Sequence, residues 1–156
     1  MIIIRRIPMN ALQQGVYSIL TTKQDTPVYD DVPGIQYDDN GNPILDDDGN
    51  VIPVKLPYIT FGDFTCKRGG TKDTDISDTS LQLHIWSEYK GKKEVNAIAD
   101  AMTAVLTYWT IDLSAQNFKV TEQDVDFFES FAEENTGYHG VVTFVSKIQN
   151  LGGKNK

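Results

Sequence analysis

Between Ser87 and Trp109 the apolar residues Val95, Ile98, Ala99, Met102, Val105, Leu106 and Trp109 recur at the three-and-four spacing that places them on one side of a helix. Lys93, Asn96, Asp100, Thr103 and Thr107 follow the same spacing on the other side. A single helix of this length is marginal in water, and each large side chain of the stripe contributes roughly 1.5 to 3 kcal/mol only when it is buried. The chain must therefore put an apolar surface beneath this segment. The residues just before it provide one: Thr79 to Ser87 alternates Leu81, Leu83 and Ile85 with Gln82, His84 and Trp86, the pattern of a half-buried strand.

Tyr138 to Gln149 is the next clearest strand. Val142, Phe144, Ser146 and Ile148 alternate with Val141, Thr143, Val145 and Lys147, so apolar residues fall on both faces, as in a central strand or one covered from outside. Leu56 to Phe64 forms another, joined to Thr79 by a polar connector, Cys66 to Asp78. After a turn at Asp112 to Asn117, Phe118 to Phe127 reads as a strand that Asp124 and Asp126 mark as an edge or a bulge. Phe127, Phe128 and Phe131 form an aromatic cluster expected to pack in the core and its rim rather than to serve as a contact patch. Near the start, Asn10 is the expected N-cap of a first helix with Leu12, Val16, Ile19 and Leu20 on one face. Gly15 inside it costs about 0.5 to 1 kcal/mol against alanine, which calls for the close approach of another element. Met1 to Ile7 is either a short strand tucked against the domain or an arm for a neighbour.

These elements give one α+β domain over residues 1–156, in the order α-β-β-α-β-β, with a mostly antiparallel sheet of four strands or slightly more and both helices on one face. One helical layer leaves the opposite face of the sheet bare. Trp86, Val141 and Val145 on that face are expected to meet another subunit.

The segment 25–57 departs from this regularity. It holds five of the six prolines and many aspartates, and lacks helical period, so it is expected to project as a Pro/Asp/Gly-rich hairpin insertion. Asp38-Asp39-Asn40-Gly41-Asn42-Pro43-Ile44 is echoed by Asp46-Asp47-Asp48-Gly49-Asn50-Val51-Ile52, each copy carrying the Asp/Asn-Gly chemistry of a tight turn. Neither copy completes the oxygen-ligand register of a calcium loop or supplies its distal glutamate. At the other end, 152–156 reads as a flexible basic tail.

With 22 carboxylates against 14 Lys and Arg, a net charge of −8, the chain is not built to grip nucleic acid, although an acidic surface would let DNA pass without adhering. The single Cys66 cannot staple the fold and suits a reducing compartment. Met1 to Pro8 is not expected to act as a secretion signal, and no segment is expected to span a membrane. His84 and His139 lack Cys or Glu at ligand spacing and are expected to be satisfied structural or surface residues. No serine sits in a nucleophile elbow, and the paired carboxylates lie in turns where they stay hydrated. Lys67, Arg68 and Lys72 are followed at once by aspartates, and Gly69-Gly70 does not make a P-loop. No catalytic residue, metal ligand or cofactor site is expected.

The Leu56-Pro57-Tyr58-Ile59-Thr60-Phe61 strand, the Leu81-Gln82-Leu83-His84-Ile85-Trp86-Ser87 strand, the helix with Asn96-Ala97-Ile98-Ala99-Asp100-Ala101-Met102 and the closing Tyr138-His139-Gly140-Val141-Val142-Thr143-Phe144 strand together resemble the tail-completion proteins of tailed bacteriophages, or tail terminators. The resemblance covers roughly two thirds of the chain; the length of 25–57 and the apolar Met1 to Ile4 depart from it. It implies a non-enzymatic virion subunit, assembled in the host cytoplasm, that forms a homo-oligomeric ring, a hexamer, at the head-proximal end of the tail tube. The ring would end tube polymerisation, meet the tail tube protein and a head-completion or connector protein, and pass DNA without binding it, with no membrane involved. Asp38, Asn40, Asp46 and Asp48 are the expected contact residues of the insertion, beside Trp86, Val141 and Val145 on the sheet. The alternatives are another neck or baseplate adaptor, or a small ligand-binding domain that places Asp38, Asp39, Asp47 and Asp48 around a divalent ion.

Overall fold

The structure, a computed structural model, describes residues 2–133, 137–152 and 154–155. In chain order the elements are β1 (Ile2–Ile3), α1 (Met9–Lys23), β2 (Val28–Tyr29), β3 (Tyr58–Arg68), β4 (Ile76–Ser87), α2 (Lys93–Tyr108), a single 3-10 turn at Ser114–Gln116, β5 (Phe118–Glu133), β6 (Gly137–Asn150) and β7 (Lys154–Asn155). β4 alternates buried and half-buried residues along its whole length, as its sequence demands: Leu81, Leu83 and Ile85 are sealed, while Gln82, His84 and Trp86 face the other way. It pairs antiparallel with β3 on one side and β6 on the other, and β5 pairs antiparallel with β6.

Val28–Tyr29 adds a fifth strand, parallel to β3, so the sheet is mixed, in the order β2-β3-β4-β6-β5, with five strands where four or slightly more are expected from the sequence. Two residues inside an aperiodic stretch carry no alternation from which to read a strand. β1 and β7 form a separate antiparallel pair, so the observed element order exceeds α-β-β-α-β-β at both ends. Residues 1, 153 and 156 of the expected terminal arm and tail lie outside the described residues.

The apolar stripe of α2 is buried from Val95 to Leu106 and shares one core with Leu12, Val16 and Leu20 of α1 and with Leu83, Ile85, Val142 and Phe144 of the sheet. Both helices thus cover the same sheet face. Trp109 is not part of that stripe. The helix has ended, Trp109 is extended and 42% exposed, and its ring lies 4.2 Å beneath the Lys23 ammonium. Asn10 is likewise not a cap: the helix begins one residue earlier, after Pro8, whose carbonyl accepts the Leu12 N–H at 2.9 Å. Asn10 is already inside the first turn.

β5 runs on past Phe127 to Glu133, and it is both an edge and bulged, with register shifts between Val120 and Glu122 and between Val125 and Phe127. Phe118 is buried in the core, but Phe127, Phe128 and Phe131 do not join it. Pairing with Thr143 and His139 puts Phe127 and Phe131 on the face away from the helices, 53% and 40% exposed, whereas Phe128 opposite Val142 points to the helical side. The chain termini are held at the far end of the sheet by Asp75, which is 3% exposed and accepts the Arg6 backbone N–H at 2.9 Å and the Asn150 amide at 3.0 Å. The Arg6 guanidinium lies 4.1 Å over the Phe118 ring.

Gly15 meets the expected close approach. A Cβ at that position would lie 2.6 Å from Ile111 Cγ2 and 2.8 Å from Leu113 Cδ2, both in the segment that follows α2. Gly15→Ala is therefore expected to lower the urea midpoint, because overpacking costs of about 1 to 3 kcal/mol exceed a helical gain of about 0.5 to 1 kcal/mol. A raised midpoint would show that α1 and the Ile111–Leu113 segment are not in contact.

Candidate functional site

Two surfaces concentrate what the core does not use. The first is the sheet face opposite the helices. At its upper end the rows Tyr58–Trp86–His139–Phe131 and Thr60–His84–Val141–Glu129 run across four strands. Trp86 is half-buried; its Nε1–H donates to Thr60 Oγ1 at 2.9 Å, and its ring sits 4.0 Å from that of His139. Phe131 packs on the other side of His139, 4.9 Å between centroids. Val141 is 6% exposed beneath these neighbours and Val145, lower on the same face, is half-buried. The structure thus places Trp86, Val141 and Val145 on one face, as the alternation requires, with Val141 largely covered from within the chain.

The two histidines are linked, which their distance in sequence does not reveal. His139 Nδ1 approaches Glu133 Oε1 at 2.5 Å, and His139 Nε2 approaches His84 Nδ1 at 2.6 Å. A carboxylate can only accept, so His139 carries its proton on Nδ1 and, when neutral, accepts at Nε2 from His84 Nδ1–H. The remaining nitrogen of His84, Nε2, faces the backbone at Gly62, where a Cβ would come within 2.2 Å. Glycine is what lets β3 cross the imidazole. Burial pushes the His84 pKa down, and the neighbouring His139 adds to this, against an opposing pull from Asp63. The hydrogen bonds tie Glu133, His139 and His84 into one chain within the aromatic patch. Sequence spacing could not expose the triad, because it depends on the register of three strands.

The second surface is 29–57, in which no residue is buried. The turn chemistry is as expected: Gly41 and Gly49 take φ of 82° and 83°, and Asp38 Oδ1 accepts the N–H groups of Asn40 and Asn42, all at 2.9 Å, as Asp46 Oδ1 does those of Asp48 and Asn50. The two copies do not pair as the arms of one hairpin. Gln36 N–H donates to the Ile52 carbonyl at 2.8 Å, Ile44 to Gln36 at 2.9 Å and Ile52 to Ile44 at 3.2 Å, a closed triangle of residues spaced eight apart. The bridges Ile35–Pro53, Tyr37–Pro43 and Leu45–Val51 repeat the same closure. Each central residue therefore donates to one arm and accepts from the other, which makes a three-armed knot. Val51 to Val54 supplies the third arm, whose turn is replaced by closure of Val54 N–H on the Gly34 carbonyl at 3.3 Å.

This geometry spends the Asp38 and Asp46 carboxylates inside their own turns and leaves Asn40 and Asp48 exposed at the tips. Among the described residues no group of three or more His, Cys, Asp or Glu is arranged to hold a metal ion, and no helix is long and apolar enough to cross a membrane. Around the knot Tyr37, Leu45 and Val51 are 60%, 54% and 48% exposed, an apolar set that the aspartate count had obscured.

Comparison with known proteins adds a family. The profile described as "Tail completion protein gp17" matches residues 47–148. Among solved structures, a chain of the "Virion of native gene transfer agent (GTA) particle" is similar at a TM-score of 0.68 and 17% identity, over 90% of this chain and 96% of that one. At that identity the likeness concerns the fold. No curated protein sequence matches the chain.

The histidine pair makes a pH prediction. Because folded His84 has a pKa below its unfolded value near about 6.5, the unfolded chain takes up that proton first as pH falls. The contribution is complete above the unfolded pKa and is lost as pH drops toward the folded one. Thermal melts from about pH 8 to about pH 5 should thus decline less steeply for His84→Gln than for the unmodified protein. Parallel curves would contradict the lowered pKa of the half-buried His84 imidazole.

Proposed function

Because the chain belongs to the tail completion protein gp17 family, and is thus a structural protein of a phage tail, we propose that it caps the head-proximal end of the tail tube as a ring. The ring, a hexamer of identical subunits, ends tube polymerisation and offers a joint to a head-completion or connector protein. The observation that carries this reading is the sheet face opposite the helices. Its half-buried Trp86 and Val145 and the exposed Phe127 and Phe131 form an apolar surface outside the core, and such a surface is stable in water when a second subunit covers it. Head-to-tail contacts that close by rotation would cover it in every copy.

Two further features fit the role. A net charge of −8 keeps a ring from adhering to DNA that travels through it. The knot in 25–57, with its apolar rim and exposed tips at Asn40 and Asp48, is the part of the chain least needed by the core and the element that meets the tube or the head. Trp86, Val141 and Val145 belong to the subunit contact in this reading, and Asp38 and Asp46 act indirectly, by shaping the turns that present the tips.

Particles assembled without this chain should carry tails that are overlong or unjoined to heads when viewed by electron microscopy; normal tails on full heads would overturn the capping role. Deleting Asp38 to Asn50 should leave a cooperatively folding domain, since Val28 is the only core residue of 25–57, while tail attachment drops. Full attachment by that deletant would remove the knot from the joint.

A further inference from the structure

The two edges of the main sheet differ in a way that specifies how copies can meet. β2 pairs with β3 only at Ile59 and Thr60, so Phe61 to Arg68 has no strand on its outer side among the described residues, and neither does the outer side of β5. Three successive antiparallel pairings separate β3 from β5, so these two edges run in opposite directions. A second copy placed beside the first in the same orientation therefore sets β5 of one antiparallel to β3 of the next. Cyclic symmetry requires that shared orientation, and antiparallel pairing suits it.

Charge sets the register. Lys67 of β3 lies opposite Asp78, Asp78 opposite Lys147, and Lys147 opposite Glu122 of β5, one row of alternating sign across the sheet. The Lys147 ammonium and the Asp78 carboxylate are 3.9 Å apart. The row begins with an exposed cation at one edge and ends with an exposed anion at the other. A head-to-tail neighbour continues the alternation, because its Lys67 arrives beside Glu122. Two β5 edges brought together would instead oppose Glu122, Asp124, Asp126 and Glu129 with their own copies, and facing like charges destabilise a strand pair. The bulges after Val120 and Val125 add to this, because they bar strands that lack a matching irregularity, and β3 carries its own between Phe61 and Phe64.

We infer that copies of this chain join by adding the β5 edge, from Val120 to Phe127, antiparallel to the free β3 edge of the next copy, from Phe61 to Arg68, with Glu122 beside Lys67. The inference rests on the ring reading above and adds a strand-edge contact between copies to the covering of the sheet face described there. The partner is a second copy of this chain, and the contact is heterologous.

The row next to the charged one supplies the test. Thr65 pairs with Ser80, Ser80 with Val145 and Val145 with Asp124, so Thr65 and Asp124 stand at opposite ends of one row on one face. In a Cys66→Ser background, Thr65→Cys protein and Asp124→Cys protein are oxidised singly and as a mixture, because residues facing each other on paired strands come within disulfide reach. Sedimentation velocity on the same samples records assembly. The expected result is disulfide-linked dimers in the mixture, each joining one variant to the other, and none in either variant alone. Asp124→Cys protein linking to itself would show an isologous contact and overturn the inference. Assembled species with no link in the mixture would overturn the edge contact and leave the ring standing. Absence of assembly with and without the substitutions, in samples that include purified tail tubes, would overturn the ring, and this contact with it.

Discussion

Burial of one face of β4 beneath α2 is the interaction on which the rest of this structure depends. Leu81, Leu83 and Ile85 point at Val95, Ile98, Met102 and Leu106, and those side chains are sealed or nearly so. At roughly 1.5 to 3 kcal/mol for each large side chain, burial of these residues is a major source of the domain's stability. It fixes the register of β4, and through β4 those of β3 and β6, because a slip by one residue would turn the apolar set outward. α1 then fills the remainder of the same face, with Gly15 permitting its approach to Ile111 and Leu113.

Fixing one face also determines the other. Once Leu81, Leu83 and Ile85 face the helices, Trp86, His84 and their row partners on β3, β5 and β6 are committed to the opposite side. Among the described residues no second helical layer covers that side. The polar groups there are nonetheless satisfied: Glu133, His139 and His84 form a chain of hydrogen bonds, and Trp86 donates to Thr60. A surface that is both apolar and fixed by hydrogen bonds is suited to docking, because little side-chain freedom is left to lose on contact. The tail completion family gives that property a setting, the structural assembly of a phage tail.

Much of this was legible in the sequence because periodicity is a local signal. The α2 stripe, the β4 alternation and the two-sided character of β6 appear in consecutive residues, and the demand of Gly15 for a close neighbour follows from its missing Cβ. What escaped depends on residues far apart. Val28–Tyr29 is a strand only because Ile59 and Thr60 lie beside it. The fate of Phe127, Phe128 and Phe131 turns on a bulge at Val125–Phe127, and the phenylalanines that looked like core are at the surface. The echo of Asp38 to Ile44 in Asp46 to Ile52 showed the turns but not the third arm, since Val51 to Val54 carries no aspartate or glycine to mark it. The His84–His139–Glu133 chain needed three strands in register before it existed.

The central claim is that the bare sheet face and the opposed edges belong to a ring that forms at a tube end. Native mass by light scattering on a size-exclusion column, over a range of protein concentrations and with purified tail tubes added, tests it most directly. A species of six times the 17.5 kDa chain mass, or a smaller one that is taken up only at tube ends, is the predicted result. A monomer at every concentration that ignores the tubes would contradict it.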